Sequence, residues 1–263
     1  MEFITNDGMR LEYDDVGSGQ PVVILTGLGG SRVIWGEQVK ALISAGFRVI
    51  NIDARNQGAS QHTTKGMRIS RHSMDLWEIM QKLELEKPIL LGNSMGASTI
   101  FGYVSLFGSK DIKAVIDVDQ SPKMICEDHW TYGFKGIVTW KNFPDILKAP
   151  FGRATYHKLS DDVYQSNKRA QAEHPYDAQL NLPFLRDHAF QDWRDVISEL
   201  ECPLLIIAGE KSPYFDHNFA PVTAKIAPNG SYQIIPESGH MVMAEQPSSF
   251  NAALFSFFKE NNL

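Results

Sequence analysis

Ser94 stands between two glycines in Gly92-Asn93-Ser94-Met95-Gly96, a spacing suited to a nucleophile. An apolar run, Ile89-Leu90-Leu91, leads in, and helically spaced apolar residues (Ala97, Ile100, Phe101, Val104) lead out. Strand, tight turn and helix is the setting of a G-x-S-x-G nucleophile elbow. The glycines have a steric task, because side chains flanking so sharp a bend collide with the adjoining strand and helix. The bend lifts the Ser94 hydroxyl off the sheet. It also turns the first free amides of the helix, beginning with Met95, toward the space beside it. The same five residues fit an ordinary turn with a capping serine, so the rest of the chain has to decide.

A second glycine-rich loop, Thr26-Gly27-Leu28-Gly29-Gly30-Ser31, follows the apolar run Val22–Leu25. Read as a dinucleotide fingerprint, with Asp53 toward a ribose, it lacks the third glycine, since Arg32 occupies that place. Read beside a serine elbow, it supplies a backbone N–H to an oxyanion hole, the other coming from the residue after the nucleophile. Leu28 and Met95 are the expected donors. No P-loop and no H-E-x-x-H motif is present.

These residues need a scaffold, and the patterning predicts one. Residues 2–5 and 10–16 read as a hairpin turning at Asn6-Asp7-Gly8. Short β-branched runs at Val22–Leu25, Phe47–Ile52, Ile89–Leu91, Ala114–Val118, Pro203–Ala208 and Tyr232–Ile235 read as strands. Between them lie helices around Trp35–Ala45, from Ile69 to Leu83 and after the elbow, and an amphipathic helix begins at Pro247. The alternation predicts an α/β protein with a mostly parallel sheet covered on both faces. Residues 122–195 lose the strand pattern and become richer in aromatics, which suggests a helical insertion over the carboxyl edge of the sheet. The expected division is a core of residues 1–121 and 196–263 with a lid of 122–195.

Taken together, the elbow, the glycine loop, the Asp53-Ala54-Arg55…Gly58-Ala59-Ser60 turn and Ser238-Gly239-His240…Glu245-Gln246-Pro247 resemble the α/β-hydrolase superfamily along essentially the full length. The resemblance implies an α/β-hydrolase fold with His240 as catalytic base. It also exposes two departures. Thr26 stands where the family often has His in the oxyanion loop, which a backbone donor tolerates. In Gly209-Glu210-Lys211-Ser212-Pro213, serine replaces the usual catalytic Asp. A neutral serine cannot orient the imidazole or balance its charge, and loss of the acid in a comparable triad costs on the order of 10⁴ in rate. Some members carry the acid at the end of the strand after the elbow unit, and here that position is Asp119. It is preferred to Asp216 in the following loop, and to Asp117, expected one pleat off on the wrong face. Asp53, Arg55 and Ser60 are expected to brace their turn.

The implied activity is a serine carboxylesterase-type hydrolysis of small hydrophobic esters by Ser94, His240 and Asp119. Trp130, Tyr132, Phe134, Trp140, Phe143 and Phe151 are expected to line the pocket. No metal or organic cofactor is expected, and the partner is a small-molecule ester. The alternatives are a cofactor-free perhydrolase of the non-haem haloperoxidase type and a ligand receptor retaining the fold. A net charge of -6 and the lack of a basic run argue against nucleic acid or anionic lipid. There is no apolar run of membrane-spanning length and no secretory signal pattern, and Cys126 and Cys202 match no metal spacing. A cytoplasmic location with reduced thiols is therefore expected. The sequence is compatible with a homo-oligomer.

Overall fold

The computed structural model describes residues 1–263. Its eight strands are β1 (Glu2–Ile4), β2 (Arg10–Gly17), β3 (Pro21–Leu25), β4 (Arg48–Asp53), β5 (Ile89–Asn93), β6 (Ala114–Val118), β7 (Leu204–Gly209) and β8 (Gly230–Ile235). They form one sheet in the order β1-β2-β4-β3-β5-β6-β7-β8. The hairpin strand β2 pairs antiparallel with β1 and β4, and every other pairing is parallel.

The helices are α1 (Gly36–Ser44), α2 (Ile69–Lys82), α3 (Met95–Phe107), α4 (Asp161–Glu173), α5 (Ala178–Phe190), α6 (Arg194–Ser198), α7 (Phe219–Ala224), α8 (Val242–Glu245) and α9 (Pro247–Glu260). None is long and apolar enough to cross a membrane. The expected helix around Trp35–Ala45 begins as a 3₁₀ turn, Arg32–Trp35, before α1.

Two apolar clusters explain why the central strands read as continuous hydrophobic runs. Along β3, Val23 and Leu25 join one cluster with residues of α2, α3, α5 and α7, while Val22 and Ile24 join the other with α1, α8 and α9. Strand β7 divides likewise, Leu204 and Ile206 to the first face and Leu205 and Ile207 to the second. Alternation along a strand covered on both sides leaves no polar face.

Between β6 and β7 the chain contributes no strand to the sheet. It carries two 3₁₀ turns, Phe134–Gly136 and Asp145–Lys148, then α4, α5 and α6. Phe134, Val138, Leu147, Phe184 and Leu185 from this interval share the first cluster with the sheet, so its packing is continuous with the body.

Candidate active site

The carboxyl ends of β3, β5, β6, β7 and β8 bring the candidate residues together. Ser94 follows β5 in a left-handed conformation, φ 53 and ψ -122, rare for a residue with a side chain. Its amide still pairs with the Val118 carbonyl at 2.9 Å, so the bend is anchored to β6. The glycines are required by contact. A Cβ on Gly96 would lie 2.4 Å from the Leu25 carbonyl oxygen, and one on Gly92 would lie 2.4 Å from the Ala97 nitrogen.

Behind the serine, His240 Nδ1 hydrogen-bonds Asp119 Oδ2 at 2.6 Å. Asp119 is fully buried and sits just past β6 at φ 54. Its other oxygen accepts the Gly209 N–H at 3.0 Å, and Ser212 Oγ donates to Oδ2 at 2.6 Å. Ser212, the departure noted in the sequence, thus hydrogen-bonds the carboxylate that pairs with His240. Asp216 is exposed and accepts from Asn218 instead. Asp117 lies within β6, where residues two apart share a face, so the expected pleat argument does not separate it from Asp119. The strand ending at Val118 and the left-handed turn at Asp119 do. Asp117 accepts the Gln120 amide at 3.1 Å, and burial, reinforced by the Asp119 charge, pushes its carboxyl well above the ordinary range.

The loop carrying His240 is tied down from three sides. Its backbone N–H donates to Ala154 at 2.9 Å, and its carbonyl accepts Asn93 Nδ2 at 3.3 Å. Glu245 accepts N–H bonds from Gly239 at 3.0 Å, Tyr156 at 2.7 Å and His157 at 2.9 Å. One carboxylate therefore joins the histidine loop to the interval between β6 and β7. The Tyr214 ring packs against the imidazole at 4.6 Å between centroids.

Ser94 and His240 line one cavity of about 230 Å³. No hydrogen bond joins them; Nδ1 carries His240's one side-chain bond. Leu28 and Gly27 also line the cavity, and a Cβ on Gly27 would come within 3.0 Å of Ser94 Cβ. The Leu28 and Met95 amides donate to no protein acceptor, unlike Gly29, which gives its N–H to Gln57. Thr26 accepts Trp35 Nε1 at 3.1 Å and so holds the strand end that leads into this loop.

Of the six expected pocket aromatics, Phe134 and Phe151 line the cavity; Trp130, Tyr132, Trp140 and Phe143 do not. Trp130 is buried with its N–H on Ser121 Oγ and the Lys123 carbonyl, and Tyr132 packs edge-on against it. Trp140 and Phe143 pack edge-on and tilted with Phe190 in a cluster where Trp140 is half exposed. Side-chain direction, set by turns the sequence does not announce, turned those four away. The wall is completed by residues the sequence reading passed over, among them Met124, Leu185, His188, Tyr214 and Phe215. Tyr214 and Phe215 had a signal, since they follow Ser212-Pro213 in the loop already marked as unusual.

Asp53 is sealed from any ribose: it accepts the Arg32 and Ala59 amides and pairs with the Arg32 guanidinium. Arg55 is likewise buried in structure, paired with Asp75 and Asp7. Both cysteines are free, and no cluster of potential metal ligands occurs.

The chain matches the α/β hydrolase fold family over residues 20–156, more than half its length. It belongs to the α/β-hydrolase family. Among curated α/β-hydrolase relatives, a Synechocystis sp. protein provisionally named a non-heme chloroperoxidase is 29% identical, the alignment covering 94% of each chain. The sn-1-specific diacylglycerol lipase ABHD11 of Xenopus tropicalis is 26% identical over 93% of this chain and 80% of its own. Among solved structures, an esterase from Exiguobacterium antarcticum superposes with a TM-score of 0.85 at 23% identity, covering 98% of this chain and 99% of that one. At that identity the likeness speaks for the fold alone.

Proposed function

We propose that this α/β hydrolase is a serine carboxylesterase-type enzyme that cleaves small hydrophobic esters through an acyl-enzyme intermediate. The observation that carries the reading is the 2.6 Å pairing of His240 with buried Asp119 beside a cavity that Ser94 also lines. In the proposed cycle His240 Nε2 takes the Ser94 proton as Oγ attacks the ester carbonyl. The tetrahedral oxyanion is held by the Leu28 and Met95 amides. His240 then protonates the departing alcohol; afterwards it takes a proton from water as the water oxygen attacks the acyl carbonyl, and returns that proton to Ser94 Oγ as the acyl–Oγ bond breaks and the acid leaves. Asp119 keeps Nδ1 protonated and balances the imidazolium. None of these steps requires a metal or organic cofactor. The interval 122–195 acts as a lid, and Phe134, Phe151, Tyr214 and Phe215 favour an apolar substrate portion.

A fluorophosphonate probe tests the reading. Labelling is expected on Ser94 and absent from Ser94→Ala, with turnover of p-nitrophenyl esters lost in parallel. An unlabelled, inactive wild type that still binds esters would leave the receptor alternative instead. A second reading, perhydrolysis, is supported by the chloroperoxidase name of the 29%-identical relative. There peroxide replaces water at the acyl-enzyme, and halide oxidation dependent on both acetate and peroxide would reveal it.

A further inference from the structure

Part of the cavity wall is polar in a way the Ser94–His240–Asp119 unit does not use. His188 lines it from the last turn of α5, three residues after Leu185, so both project from one helix face. The residue is 4% exposed and its ring makes no hydrogen bond with the protein; Nδ1 is enclosed without a partner. Buried polar atoms in folded proteins are nearly always partnered, and His188, unlike the equally buried His72, lines a cavity in which a ligand can supply the partner. Two more polar residues, Asn167 and Gln171, line the same cavity from α4, four apart, and Gln171 is exposed.

The charge inventory narrows what such a wall receives. No Lys, Arg, Asp or Glu lines the cavity. Burial pushes the His188 pKa down to about 4, with the nearby His240 adding to the shift, so the ring is neutral at physiological pH. A substrate carboxylate entering here would meet no cation to balance it. A neutral imidazole offers one donor and one acceptor, which suits an uncharged oxygen function.

Building on the serine-hydrolase reading, we infer that His188 is a specificity residue that hydrogen-bonds an uncharged oxygen group, a hydroxyl or carbonyl, carried by the ester substrate away from the scissile bond. The preferred substrates are then small esters bearing such a group, ahead of plain alkyl esters and of half-esters with a free carboxylate. The group contributes to binding, so its effect falls on KM more than on kcat.

The test compares propyl butanoate with its near-isosteres 2-hydroxyethyl butanoate and propyl 3-hydroxybutanoate, and with monopropyl succinate, followed by pH-stat on the full chain. One hydroxylated ester should exceed propyl butanoate in kcat/KM by roughly tenfold or more, carried by KM, with monopropyl succinate below both. In His188→Phe that ratio should fall to one or lower, and His188→Asn should recover part of it. If His188→Phe does not fold, the ratio in His188→Leu decides. Retention of the preference in the apolar variant, or a wild-type preference for propyl butanoate over both hydroxylated esters, overturns the inference. Calorimetric binding of the same esters to Ser94→Ala separates this from failure of the hydrolase reading. Selective binding of a hydroxylated ester, lost on adding His188→Phe, upholds the role of His188 even without turnover. Equal binding of plain and hydroxylated esters refutes it.

Discussion

At Asp119 two carboxylates two residues apart meet opposite fates. Asp119 ends its strand in a left-handed turn and collects donors from His240, Gly209 and Ser212. Asp117 is enclosed within β6, holds one backbone amide and leaves Oδ2 unpartnered. Under the proposed mechanism Asp119→Asn should lower kcat by about 10⁴, because the imidazole loses both its orientation and its counter-charge. Asp117→Asn should stay within roughly threefold, since burial favours the neutral form of this carboxyl and a neutral amide of the same shape replaces it. Ser212→Ala, which removes one neutral donor from Asp119, should cost roughly tenfold. Steady-state turnover of a p-nitrophenyl ester ranks all three, and near-normal turnover in Asp119→Asn would remove that residue from the triad.

Two elements bear on the site through backbone geometry. The elbow packs α3 so tightly on β3 and β5 that Gly96→Ala would place a methyl group 2.4 Å from the Leu25 carbonyl. Relief requires moving backbone, and a loss on the order of 2–3 kcal/mol is expected, seen as a lower melting temperature together with weakened fluorophosphonate labelling. The short helix α8 ends in Glu245, whose carboxylate gathers amides from Gly239, Tyr156 and His157. Glu245→Gln puts an NH₂ among donors that need an acceptor. The fold should survive by circular dichroism while kcat falls roughly 10- to 100-fold, the scale of a small misplacement of the base. Unchanged kcat would mean that the histidine loop holds its place without this clamp.

Across the whole molecule, burial of neutral imidazoles links folding to pH. His72 stacks on Phe184 at 4.1 Å with both nitrogens unpartnered, and burial, aided by Arg55 and Arg71, pushes its pKa down to about 3. His188 is lowered to about 4. Unfolded imidazoles take up protons below about pH 6.5 while the folded ones stay neutral, so acid favours the unfolded chain. Stability is whole above about pH 6.5 and declines as pH falls toward 4, by about 1 kcal/mol per pH unit for each ring. Melting temperatures between pH 7 and 4.5 should show the decline, and His72→Phe should flatten it. An equally steep decline in His72→Phe would show that His72 takes up a proton in the folded protein as readily as in the unfolded chain.

Local chemistry settled much of this protein from its residues alone. Strand runs covered on both faces must be continuously apolar, the Asp-Gly hairpin sits between β1 and β2, and an elbow of this sharpness needs glycine at 92 and 96, so these could be read directly. The positions of Ser94 and Asp119, directly after β5 and β6, and of His240 in the loop after β8 could also be read from the strand pattern, because the topology collects side chains at that edge of the sheet. Asp53 and Arg55 also brace their turn as expected. The tertiary structure alone decided which aromatics face the cavity, sending Trp140 and Phe143 to a surface cluster and bringing in Tyr214, Phe215 and His188. It also gave Ser212 its place beside Asp119 and Glu245 its three amides. Irregular segments explain the difference: where no helical or strand period fixes side-chain direction, contacts far apart in sequence choose it.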